Sequence, residues 1–213
     1  MATNAENITL TMNRLGSRSS PTLRSQVVIE MNKTIRELER GPTKPWFMES
    51  RLTGSLIAGQ DYIEQPATFL QEVEEGAFRL YNPECRKWIP IRKKDYDQVQ
   101  WKSENCGAEF PSMYALHGTR VYFGATPDLA YQYRWEALVR SSAIVDNAAE
   151  SSNPWLVEFF DLVSLLTADK IARFHIRSQE IARDLADPIA QARDHFWREC
   201  EARQQINRDY EQE

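Results

Sequence analysis

Three small sets of side chains have the types that catalysis requires. His195 and Glu199 stand four apart, so a helix would bring both to one face as metal ligands. A catalytic metal needs a third protein ligand, and none follows at helical spacing. Cys106 and His117 have the chemistry of a thiol–imidazole pair. No nucleophile motif surrounds them, and two unrelated loop residues is the simpler reading. Glu49, Asp61 and Glu64 gather near a predicted hairpin, where two carboxylates would suit glycoside hydrolysis. Carboxylates on hairpins are common, so this supplies only the alternative, a hydrolase. His175 closes a long apolar segment and reads as a partner for the helix dipole. P-loop, GxGxxG and HExxH patterns are missing, which removes nucleotide and zinc-protease readings. The expectation is a protein that is not an enzyme and needs no cofactor or metal.

Composition narrows the class. The 213 residues are 42% hydrophobic and 27% charged, enough for one core plus a smaller satellite. A net charge of -5 argues against a nucleic-acid coat, which presents a basic surface to phosphates. An acidic lining would still let DNA slide past without sticking. No run approaches the roughly twenty apolar residues of a spanning helix, and the first residues lack the plan of a signal peptide. Cys85, Cys106 and Cys200 are odd in number and far apart, which points away from a disulfide framework and toward a reducing cytoplasm.

Periodicity predicts helix, helix, a β-rich middle, then more helices. The first helix runs from about Asn4 to Leu15 and stops at Gly16. The second opens on Ser20 as cap with Pro21 at the first helical position. Leu23, Val27, Met31, Ile35 and Leu38 then draw an apolar stripe that ends at Gly41-Pro42. From Trp46 to Leu138 the period falls toward two. Phe78 to Tyr81, Trp88 to Ile91, Tyr114 to Leu116 and Val121 to Phe123 read as short strands, with a turn at Gly118-Thr119. The clearest strand is Leu129 to Ala137, where Leu129, Tyr131, Tyr133, Trp135 and Ala137 alternate with wet neighbours. Asn153-Pro154 starts a helix apolar over more than half its circumference, predicted to continue to Ile176, roughly 34 Å. Asp187-Pro188 opens a last, charged helix carrying Phe196 and Trp197, which solvation does not explain.

The order of these features resembles the head-to-tail adaptor, or connector, proteins of short-tailed phages. The matching pieces are Glu37-Leu38-Glu39-Arg40, Pro45-Trp46-Phe47-Met48, Ala58-Gly59-Gln60-Asp61-Tyr62, Glu74 to Tyr81, Lys87-Trp88-Ile89-Pro90-Ile91, Pro111 to Leu116, Thr126-Pro127-Asp128, and Asn153-Pro154-Trp155-Leu156. No piece is specific alone; their joint order covers nearly the whole chain. Phe123-Gly124-Ala125 departs from the apolar-proline step usual before that turn, and the stretch after Asp187 is the least alike. The resemblance implies a ring, dodecameric by analogy, between portal and tail tube or nozzle. It implies transient passage of double-stranded DNA, assembly in the host cytoplasm, residence in the virion, and no stable membrane association.

These readings together predict an α+β, mainly α protein. A helical bundle core (residues 4–40 and 153–187) would carry a small antiparallel sheet inserted at 46–140, with residues 188–213 projecting as a helical tail. Aromatics with Arg are the usual anchors of an interface, so Phe196, Trp197, Arg198, Arg203, Ile206 and Tyr210 are the expected portal contacts. Glu72, Glu74 and Glu75 on one side, and Arg86, Lys87, Arg92, Lys93 and Lys94 on the other, are candidates for complementary ring contacts. The alternative is a virion-associated cell-wall hydrolase using Glu49 or Glu64.

Overall fold

The computed structural model describes residues 2–16, 20–74, 76–147, 149–151 and 153–210, with side chains described as far as residue 203. The chain divides into two compact units, Met1–Phe47 with Arg140–Glu213, and Met48–Val139. The first unit opens with α1 (Asn4–Asn13) and α2 (Pro21–Arg40). The second contains β1 (Glu49–Ser55), β2 (Tyr62–Glu64), β3 (Phe69–Glu72), β4 (Phe78–Asn82), β5 (Lys87–Pro90) and β6 (Arg92–Lys93). It continues with α3 (Tyr96–Asn105), β7 (Met113–His117), β8 (Arg120–Phe123) and β9 (Gln132–Val139). The chain then returns to the first unit with α4 (Pro154–Glu158), α5 (Phe160–Ile171), a π-helical turn (Ala172–Ile176), α6 (Gln179–Asp184) and α7 (Ala186–Tyr210).

Local chemistry accounts for the helix starts. Thr3 and Glu6 form a reciprocal capping box on α1, Thr3 Oγ1 accepting from the Glu6 N–H at 3.1 Å and Glu6 Oε2 from the Thr3 N–H at 2.7 Å. Ser20 Oγ accepts from the Leu23 N–H at 3.0 Å, and Pro21 begins α2. Ile8 and Met12 of α1, and Val27, Met31 and Ile35 of α2, are buried with Leu162, Val163, Ala168 and Ile171 of α5, against which both helices pack. Two hydroxyl pairs lie inside this contact: Thr11 donates to Ser164 at 3.0 Å and Thr167 to Thr34 at 3.4 Å. The opposite side of α2 holds residues 141–146. Glu39, 1% exposed, accepts from both the N–H and the hydroxyl of Ser141 at 2.7 Å. The Asn32 amide accepts from the Ile144 N–H at 2.8 Å and donates to its carbonyl at 3.0 Å, replacing a missing strand partner.

In the β unit, β9 is the axis of a five-stranded antiparallel sheet. β1 lies along one side of it, from Glu49 opposite Leu138 to Ser55 opposite Gln132. Along the other side β3 and then β4 pair with it in succession, and β5 extends β4. The second sheet has the order β2-β8-β7-β6, antiparallel except for the parallel β6–β7 pair. Inward side chains of both sheets share one core, in which Phe78 meets Trp135 and Tyr133 of its own sheet and Tyr114 and Phe123 of the other.

This architecture overturns the predicted mainly-α arrangement. Helix takes up 45% of the chain and strand 22%, the strands forming two sheets rather than one small insertion, so the fold is α+β without a helical bundle as its core. The largest fully buried side chains are divided between the sheets, with Trp135, Tyr114, Phe78 and Phe123, and the helices, with Trp155. Two further differences are local. The apolar helix is broken at Phe159 (φ -132°, ψ 42°) and ends in the π-helical turn. The last helix does not project as a free tail: Phe196 and Cys200 of α7 are buried, Phe196 within ring contact of Trp155 and Phe159. Helix α3 and strand β3 have no counterpart in the sequence reading.

Candidate functional site

The residues expected to dock separate by helix face. On α7 the interior side is Ile189, Ala192, Phe196 and Cys200, spaced by three and four. Phe196 is 6% exposed, with ring centroids 5.0 Å from Phe159 and 5.8 Å from Trp155. It is therefore part of the interior and not an accessible anchor. Arg203 is also engaged within the chain, its guanidinium 3.6 Å above the Trp46 ring. Trp197, one position along and about 100° around the helix, faces out at 44% exposure. Its helical neighbours Arg193, Asp194, Arg198 and Glu201 are all exposed, and Asp194 pairs with Arg198 at 2.7 Å. The result is one aromatic within a charged surround. The side chains of Ile206 and Tyr210 lie outside the described residues.

The two charge clusters do not form opposed faces. Glu72 is 7% exposed at its side chain and accepts from Lys93 at 2.7 Å, from Trp135 Nε1 at 3.0 Å and from the Tyr114 hydroxyl. A nearly buried carboxylate holding three donors is a structural post for β3, because losing any donor would leave charge unsolvated. Acidic Glu72 and Glu74 and basic Lys93 and Lys94 line one shared cleft, so these charges largely answer one another within the chain. Arg86, Lys87 and Arg92 are exposed, Arg86 in a left-handed turn at φ 54°. Glu75 lies outside the described residues.

The candidate catalytic groups are dispersed. Asp61 accepts from Ser103 at 3.2 Å and Glu64 from Arg120 at 2.8 Å. Glu49 has its carboxyl raised above the ordinary range by burial and then by the nearby charge of Glu136. The His117 ring stacks on Tyr96 at 4.1 Å, which accounts for its position independently of Cys106. His195 borders a cleft with Arg14, Asp161 and Gln191. His175 lies 3.7 Å from Glu30, in the π-helical turn rather than at a simple helix end. Among the described residues, no three His, Cys, Asp or Glu side chains converge as a metal ion would require. No described helix is long and apolar enough to cross a membrane.

Sequence reasoning missed one concentration of charge, Arg173, Arg177 and Arg183 around Phe174. The available signal was Phe174 itself, flanked by basic residues in a segment otherwise read as the end of a buried helix. No family model matches the chain, and a search of curated proteins finds no match.

Proposed function

We propose that the protein is a structural component of a tailed-phage virion, a head-to-tail adaptor. It forms a ring, dodecameric by analogy, between the portal and the tail tube or nozzle, and its bore passes double-stranded DNA. The ordered series of motifs from Glu37 to Leu156 supports the family reading. The observation that carries the docking role is Trp197: an indole 44% exposed on a helix whose interior face is already filled. Large aromatics desolvated by a partner dominate interface energetics, and surrounding charges set orientation and keep out wrong partners. The docking face of this reading centres on Trp197 and Arg198. The hydrolase alternative has less support: Glu64 is paired with Arg120 and Asp61 with Ser103, which leaves the raised carboxyl of Glu49 without a free partner in either of them.

The test is sedimentation of the protein with its cognate portal ring, imaged in parallel by electron microscopy. Trp197→Ala is expected to weaken binding by about 30-fold, equivalent to about 2 kcal/mol, with the fold intact. Unchanged binding by this variant would refute the docking face. Absence of any portal-bound ring, together with clearing of peptidoglycan in a zymogram, would refute the adaptor reading itself.

A further inference from the structure

A pocket of about 580 Å³ opens where the π-helical turn meets α6 and the start of α7. Arg173, Arg177 and Arg183 line it together with Phe174, Ser178 and Gln179. In a chain of net charge -5, its described lining contains three guanidinium groups and no carboxylate. Arg173 shares its charge with Asp169 at 2.7 Å. Glu180 and Asp184 lie on the same short helix, α6, but do not line the pocket. Phe174 is 74% exposed, the most open of the chain's described large apolar side chains.

The backbone explains this arrangement. A π-helical turn holds an extra residue and shifts the side-chain register, so Phe174 leaves the apolar face of α5. The turn closes at Arg177 with φ 59° and ψ 36°, a left-handed conformation that costs a non-glycine residue of order 1–3 kcal/mol. Gly would sit there without that cost, yet the position holds a long cation. Forked guanidinium groups beside an accessible aromatic suit a carboxylate carried near a flat side chain. Duplex DNA is a poorer fit, because it presents its phosphates on a convex surface and a single concave pocket engages few of them.

The chain itself contains a segment of the required chemistry. Residues 209–213 read Asp209-Tyr210-Glu211-Gln212-Glu213, three carboxylates around one phenol. This segment is out of reach of its own pocket. Ala186 lines the pocket and α7 runs from there to Tyr210, a rise of about 36 Å. Arg203 is held on Trp46 along the way, and three further residues, however arranged, reach at most about 10 Å.

We propose that the acidic segment 209–213 of one copy docks in the arginine pocket of a second copy. Arg177 and Arg183 would take its carboxylates, and Phe174 would meet Tyr210, which is thereby assigned to a neighbouring subunit and not to the portal. The contact joins two different patches and is therefore head-to-tail, the kind that propagates around a ring. It deepens the adaptor reading and rests on it only for ring closure.

The test is fluorescence anisotropy of a labelled peptide of residues 204–213 titrated onto the full chain. Binding that weakens with salt is expected, with a loss of about tenfold or more in the Arg177→Glu/Arg183→Glu double variant. A peptide with Asp209, Glu211 and Glu213 changed to Arg should fail on the natural chain and bind the double variant. This charge exchange separates a specific contact from damage to the fold. No binding of the natural peptide, or equal binding to the double variant, would overturn the proposal. So would loss of binding to a DNA duplex in the double variant without loss of the peptide. Portal sedimentation is read separately through Trp197, so failure of either assay leaves the other interpretable.

Discussion

Replacing Phe196 by Ala should unfold the helical unit more easily rather than merely weaken a docking surface. The ring is 6% exposed, with edge contact to Phe159 at 5.0 Å and a tilted contact to Trp155 at 5.8 Å. Removing a buried Phe side chain costs about 3–5 kcal/mol through lost transfer energy and the cavity left behind. Alanine's better helix propensity returns about 0.5 kcal/mol, which leaves about 3 kcal/mol. With a urea dependence of about 3 kcal/mol per molar for a chain of this size, the midpoint should fall by about 1 M. Urea titration followed by far-ultraviolet circular dichroism measures this directly. Trp197→Ala is the internal control, expected to cost clearly less than Phe196→Ala because Trp197 keeps 44% of its surface exposed against 6% for Phe196. If Phe196→Ala left the midpoint in place while Trp197→Ala lowered it, the assignment of inner and outer faces on α7 would be wrong.

Three other predictions concern the β unit and the thiols. A Cβ at Gly54 would sit 2.6 Å from the Tyr133 hydroxyl and 2.7 Å from its ring carbons. Gly54→Ala should therefore cost about 1–3 kcal/mol through forced displacement of the ring, read as a lower melting temperature by circular dichroism; an unchanged transition would mean the ring is not packed there. Cys200 is buried and its thiol is pushed up to about 11, by burial first and the Glu199 charge second, whereas Cys85 is exposed. A thiol reagent at pH 8 should label Cys85 in the native protein and reach Cys200 only on unfolding. The folded state keeps the Cys200 proton longer than the unfolded state, so this group's contribution is complete below the ordinary thiol pKa and is lost as pH rises toward about 11. A Cys200→Ser variant should lack that alkaline decline.

The sequence was most readable where local chemistry decides the outcome. Helix α2 begins at Pro21 after the Ser20 cap and ends before Gly41, and Val27, Met31 and Ile35 of its stripe are buried. The Gly118-Thr119 turn joins β7 to β8, with Gly118 at φ 59°. In β9 the alternation places Trp135 and Ala137 inside, although the strand starts at Gln132 rather than Leu129. Features set by neighbours were not readable. The break at Phe159 has no Pro or Gly to announce it; Trp46 and Phe47, Trp155, and Phe196 surround that ring from three parts of the chain. Helix α3 buries only Val99 along its length, so it leaves almost no periodic trace. Phe196 and Trp197 are adjacent in sequence but lie on different faces, and nothing local tells which face is covered. The same limit applies to charge: Glu72 and Lys93 suggested opposed surfaces until β3 and β6 brought them together.

The pairing of Glu49 with Leu138 carries one more consequence. The β unit leaves the helical chain and rejoins it at neighbouring points of a single ladder, so it forms a closed excursion. Tension carried along the helical segments would meet two strand ends already fastened to each other and pass across them without drawing on the sandwich. Such a module can be lengthened, exchanged or replaced by a short turn while the helices on either side keep their connection.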